Sequence, residues 1–135
     1  MTGSNEPSQP SEGRGENAPD STGGPSVLNR EKLQLIFGDD TEYMYKFLRS
    51  FLDICPGYMA DVRAAAEAKD AEGLATTAHR LHSALESLQA DAACEVAAYL
   101  EKLARAGHLE SVPEVMKDLE AEIDRLKRVL SKEIS

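Results

Sequence analysis

From Val27 onward, apolar side chains recur at helical spacing, and each stripe is interrupted by polar or turn-forming residues. Leu28, Leu33, Ile36 and Phe37 form a short first face, with Asn29 placed to cap it and Gly38 to close it. Asp40 caps a second, longer helix. Its stripe is Met44, Phe47, Leu48, Phe51 and Cys55, continuing through Tyr58, Met59 and Val62. Pro56 and Gly57 interrupt the hydrogen-bond ladder and predict a kink or a division there. Asp70 caps a third helix, on which Leu74, Ala78, Leu81, Leu85 and Leu88 alternate steps of four and three. Gln89 to Asp91 reads as a turn. A fourth helix carries Ala93, Val96, Ala97, Leu100, Leu103 and Ala104 on one face and ends at Gly107. Ser111 and Glu114 have capping-box spacing around Pro113. The last stripe is Val112, Met116, Leu119, Ile123, Leu126 and Leu130. No segment alternates with period two over strand length. The pattern predicts an all-α antiparallel four-helix bundle with a short additional N-terminal helix.

Composition divides the 135 residues into two regions. Residues 1–26 hold five Gly, four Pro and five Ser, with Met1 and Ala18 as the only apolar side chains. Such a stretch cannot bury enough surface to offset its ordering entropy, so a disordered acidic leader is expected there and the bundle over 27–135. Net charge is −9. That argues against nucleic acid and against a polybasic membrane anchor, both of which need clustered cations. No apolar run is long enough for a transmembrane helix, and no secretory signal is visible, so a cytoplasmic protein is expected. Two cysteines are too few for a disulfide scaffold.

The third helix is where chemistry is expected. Its leucine stripe defines an inward direction, and His79 falls about 140° from it at helical periodicity. His79 is therefore a solvent-facing imidazole in mid-helix, with Thr76 one turn before and Ser83 one turn after. Glu72 and Glu86 lie further along the same side. His82, about 80° from the stripe, sits beside His79. An accessible imidazole is a competent nucleophile toward phosphoryl groups and can pass the group on.

At these residues the sequence resembles the histidine-containing phosphotransfer (HPt) domain of multistep phosphorelays, over about Leu28 to Leu130. Gly38-Asp39-Asp40 followed by Phe47-Leu48 and Phe51-Leu52 is similar to the family's opening helix, and Pro56 stands where that helix commonly has a proline. Ala65, Asp70 and Ala78-His79-Arg80-Leu81 match the approach to the phosphoacceptor motif, and Leu100-Glu101 matches a Leu-Glu pair on the next helix. The resemblance implies that His79 is the phosphoacceptor and that Glu101 orients its imidazole. It also implies that Arg80, Ser83, Thr76 and Glu86 face a docked receiver domain. The family motif His-x-Leu-Lys-Gly reads here His79-Arg80-Leu81-His82-Ser83, so His82 occupies the place of a phosphate-contacting lysine and Ser83 that of a glycine. Gln89 replaces a second family glycine in the turn after the helix.

The expected function is that of a phosphocarrier, accepting a phosphoryl group from a receiver aspartate and passing it to another receiver. Partners would be response-regulator receiver domains, a hybrid histidine kinase, or both. The alternative is a degenerate module that docks a receiver without efficient transfer. No nucleotide-binding or hydrolytic signature is present, so the chain is not expected to act as an enzyme. No cofactor is expected of its own; Mg²⁺ would belong to the partner receiver domain. No metal site is expected: His79 and His82 with Glu72 and Glu86 lack the inward Glu-x-x-His motifs of a bundle metal centre. His108 reads as an inert loop residue, Cys55 and Cys94 as small core residues, and Tyr43 and Tyr45 as flanking the second stripe, half-buried rather than docking. A polar outer face suggests a monomer.

Overall fold

The protein is described by a computed structural model over residues 25–134. The leader expected over residues 1–26 lies outside the described residues except for Pro25 and Ser26, as does Ser135. Five α-helices follow in order: α1 Arg30–Phe37, α2 Thr41–Glu67, α3 Ala71–Leu88, α4 Asp91–Ala106 and α5 Val112–Ile134. There is no strand among the described residues.

α1, α2 and α3 begin where a short side chain satisfies a backbone donor left without a partner in the first turn, whereas α4 follows Ala90 and has no side-chain cap. Asn29 Oδ1 accepts from Lys32 N–H at 3.1 Å, Asp40 Oδ1 from Tyr43 N–H at 3.0 Å, and Asp70 Oδ1 from Gly73 N–H at 3.0 Å. α5 starts differently from the capping-box expectation. Leu109–Ser111 form a single 3-10 turn that runs directly into Val112, so Ser111 belongs to that turn. α2 runs through Pro56 undivided. Proline inside a helix costs about 3 kcal/mol, and the helix spans it because Phe51, Cys55, Met59 and Val62 are buried on both sides.

The stripes meet in one core. α3 lies between α2 and α4, and α5 packs on both α4 and α2, closing a four-helix ring. Leu48, Leu74, Leu81, Leu85, Leu88, Leu100, Leu119, Leu126 and Leu130 are almost wholly withdrawn from solvent. α1 packs on the outside against α2 and buries only Leu33. Ile36, expected inside, is 57% exposed and its neighbour Leu35 84%. An eight-residue helix packed chiefly against one neighbour has too narrow a contact to cover a full stripe. Val115, absent from the predicted last stripe, is buried in the first turn of α5.

The segment before α1 is tied to the α3–α4 turn. Asn29 N–H donates to Gln89 O at 2.7 Å, Ala92 N–H to Ser26 O at 2.8 Å, and Asn29 Nδ2 to Asp91 Oδ2 at 3.0 Å. Gln89 closes α3 in the left-handed conformation, at φ 65° and ψ 33°. A side chain with a Cβ is disfavoured there by about 1–2 kcal/mol, a strain that glycine does not suffer. Gln89→Gly is therefore expected to stabilise the fold by about 1 kcal/mol, after allowance for the extra freedom of glycine in the unfolded chain. Thermal unfolding checks this, and a lowered midpoint would count against it. Among the described residues, no helix is long and apolar enough to cross a membrane.

Candidate functional site

The site forms where α3 and α4 lie side by side. The leucines of α3 point into the ring, which leaves His79, Arg80, Thr76, Ser83 and Glu86 exposed on its outer side. His79 has 55% of its side chain in solvent and His82 28%, whereas Glu101, reaching across from α4, keeps only 12%. Glu101 joins the two imidazoles. Its Oε2 lies 3.0 Å from His79 Nδ1 and its Oε1 3.1 Å from His82 Nδ1.

A third partner holds the carboxylate in place. Arg105, one turn further along α4, donates to Glu101 Oε2 from Nε at 3.0 Å and from Nη2 at 2.7 Å. Burial pushes the Glu101 carboxyl up, but the hydrogen bonds from Arg105, His82 and His79 outweigh it and hold the group below the usual carboxylate range. Glu101 is thus an anion at neutral pH, and an ionised carboxylate only accepts hydrogen bonds. Both Nδ1 atoms must carry the proton. A neutral His79 fixed in that tautomer has its lone pair on Nε2.

A family model for the Hpt domain matches residues 46–129. The chain belongs to the Hpt domain family. Hpt domains are phosphorelay carriers rather than enzymes in the ordinary sense, and they interact with receiver domains and histidine kinases. Among solved structures, histidine-containing phosphotransfer protein B (HptB) from Pseudomonas aeruginosa PAO1 matches with a TM-score of 0.72 and 24% identity, over 80% of this chain and 94% of that one. At that identity the likeness concerns the fold. No curated protein matches the sequence.

On this Hpt bundle the residues singled out from sequence fall into two groups. His79, His82 and Glu101 are in contact. Thr76, Arg80, Ser83 and Glu86 surround them on the exposed face of α3 without joining the hydrogen-bonded cluster. Arg105 was missed by sequence reasoning; the available signal was its i,i+4 spacing after Glu101, acid before base. Glu72 and Glu86, weighed with the two histidines as metal ligands, are exposed, and the carboxylate that does reach them is Glu101.

The remaining candidates lie elsewhere. His108 is exposed, and its backbone N–H closes α4 onto Leu103 O at 2.9 Å. Cys55 is buried and Cys94 half-buried, and burial pushes both thiols up, so neither is a ready nucleophile. Tyr45 packs against the core. Tyr43 is 60% exposed, with its ring edge-on to Phe37 at 5.6 Å.

Proposed function

We propose that this chain is a phosphocarrier of a multistep phosphorelay, with His79 as the acceptor. The observation that carries the reading is the hydrogen bond between His79 Nδ1 and the ionised Glu101 at 3.0 Å, on an imidazole otherwise open to solvent. Nε2 attacks the phosphorus of a receiver's aspartyl phosphate in line. The P–O bond to the aspartate breaks, the N–P bond forms, and the aspartate leaves as a carboxylate. No proton has to move, because Nδ1–H stays on the ring. The phosphorylated ring carries positive charge, and Glu101 stabilises it as a buried carboxylate stabilises an imidazolium. Arg105 keeps Glu101 aimed. Mg²⁺, supplied by the receiver, offsets phosphoryl charge. The reverse step onto a second receiver uses the same contacts. Arg80, Ser83, Thr76 and Glu86 form the docking surface.

His82 supports the product. With its Nδ1–H engaged by Glu101, its Nε2 can donate to a phosphoryl oxygen only as the imidazolium, so it serves as a cation in the place where the family motif has lysine. A charged hydrogen bond contributes about 1.5–3 kcal/mol. His82→Leu is expected to lower the equilibrium share of label on this chain by about tenfold or more, and His82→Lys to keep or raise it. Equal partition in all three proteins would remove His82 from the site.

Mixing the chain with a radiolabelled phospho-receiver and Mg²⁺ tests the function. The expected result is acid-labile, base-stable label on this chain, which appears as label leaves the receiver. Stable docking without label would identify instead a module that sequesters receivers, and neither docking nor label would exclude both.

A further inference from the structure

We propose that His79, His82 and Glu101 also form a binding site for a divalent transition-metal ion of the zinc class, and that this ion and the phosphoryl group exclude one another. One ligand atom from each of the three side chains lies within 4.8 Å of the others. Two imidazole nitrogens and a carboxylate are a donor set that suits Zn²⁺ and its neighbours, with positions left open for water. Zn–N and Zn–O bonds of about 2.0–2.1 Å in tetrahedral geometry separate neighbouring ligand atoms by about 3.4 Å. The two Nδ1–carboxylate distances are 3.0 and 3.1 Å. Those two edges run to different carboxylate oxygens, so an ion replaces the two shared protons after shifts of a few tenths of an ångström along them, while the rings, whose ligand atoms lie within 4.8 Å, close by up to about 1.4 Å. The helix supplies the rest, because residues three apart are neighbours on its surface and the i, i+3 histidines present their rings together. The ring centroids are 6.2 Å apart.

Exclusion follows from the tautomer. A neutral imidazole has one lone pair. With Nδ1–H donated to Glu101, that pair is on Nε2 and is nucleophilic. An ion on Nδ1 takes the pair there, and the proton moves through solvent to Nε2, with no net release from a neutral ring. Nε2 is then an N–H and cannot attack phosphorus. Conversely, a phosphoryl group on Nε2 leaves Nδ1 protonated and unable to coordinate. Mg²⁺, a hard cation preferring oxygen, does not compete for these nitrogens, so a receiver's Mg²⁺ leaves the site alone. Arg105 opposes the ion, since its guanidinium holds Glu101 Oε2 at 2.7 Å and places a positive charge beside it.

The exclusion rests on His79 Nε2 being the acceptor, whereas binding of the ion does not. Zn²⁺ is titrated into the metal-free, unphosphorylated full chain against a chromogenic chelator. Long-range ¹H–¹⁵N NMR of the histidine rings reports the tautomers. One Zn²⁺ per chain is expected, with the proton of His79 and His82 found on Nε2. His79→Gln and His82→Gln should each weaken binding by about tenfold or more, since even outer partners of a metal site are worth about 10–100-fold. His108→Gln should leave it unchanged, Arg105→Gln should tighten it, and equimolar Mg²⁺ should shift no ring signal. Binding that survives both histidine variants, or rings that keep their Nδ1 protons with Zn²⁺ bound, overturns the site. Acceptance from phosphoramidate, a donor that needs no metal ion, is then compared in chelator and in stoichiometric Zn²⁺. Loss of label with Zn²⁺ and its return with chelator is expected, and equal labelling overturns the exclusion. Absence of label even in chelator counts against His79 as acceptor and against the exclusion built on it, while the stoichiometry and tautomer results still decide the metal site.

Discussion

His79→Gln is expected to give a folded, fully helical protein that accepts no phosphoryl group. The side chain is 55% exposed, so its replacement removes little packing. A glutamine amide can still donate to Glu101. Surface substitutions of this kind stay within about 0.5–1 kcal/mol. Chemistry has no substitute, however, because an amide nitrogen has no available lone pair. His82 does not take over. Its side chain is about half as exposed, and its Nδ1 is held by the other carboxylate oxygen. Circular dichroism establishes that the variant is folded, and label transfer from a phospho-receiver establishes the loss. Label that persists in the variant would place the acceptor elsewhere.

Leu81→Ala is expected to have the opposite profile, with stability lost and chemistry spared. Leu81 is two residues beyond His79 on α3 but faces the ring, with no exposed surface. Truncating a wholly buried leucine costs about 2–5 kcal/mol, through lost transfer energy and the cavity left behind. That is a large share of the about 5–15 kcal/mol that holds a domain together. The thermal midpoint should fall by on the order of 10–20 °C. At temperatures where the variant is still folded, it should accept label at close to the rate of the unmodified chain, since no group of the His79–Glu101–Arg105 cluster has been removed. A midpoint within about 2 °C of the unmodified protein would mean that the ring closes around the cavity, against the usual behaviour of packed interiors.

The contrast between these two residues also marks what the sequence makes legible. Local features were readable because they depend on a few neighbouring positions. The caps Asn29, Asp40 and Asp70 all bond as their spacing implies, and the leucine stripe of α3 separates Leu81 from His79. Ile36 is exposed because burial on α1 depends on the partners that helix finds, and its packing is chiefly on α2, with α5 reached by the Arg30–Glu133 ion pair. Pro56 predicts a kink or a division because the hydrogen-bond ladder is local, while the burial that carries α2 across it is tertiary. The link between His79 and Glu101 spans 22 residues and was reached through family resemblance. Periodicity could bring Glu101 only to the margin of its helix. The sharing of one carboxylate by His79, His82 and Arg105 depends on the register between α3 and α4, and no periodicity within either helix encodes that register.

On the proposed function, Glu101 holds the Nδ1 proton of His79 and Nε2 takes the phosphoryl group. The most direct test is ¹H–¹⁵N NMR of the histidine rings after phosphorylation by a phospho-receiver with Mg²⁺. Phosphorus coupled to His79 Nε2, with His79 Nδ1 still protonated, is the predicted result. Phosphorus on His82, on His108 or on Nδ1 of His79 would contradict it.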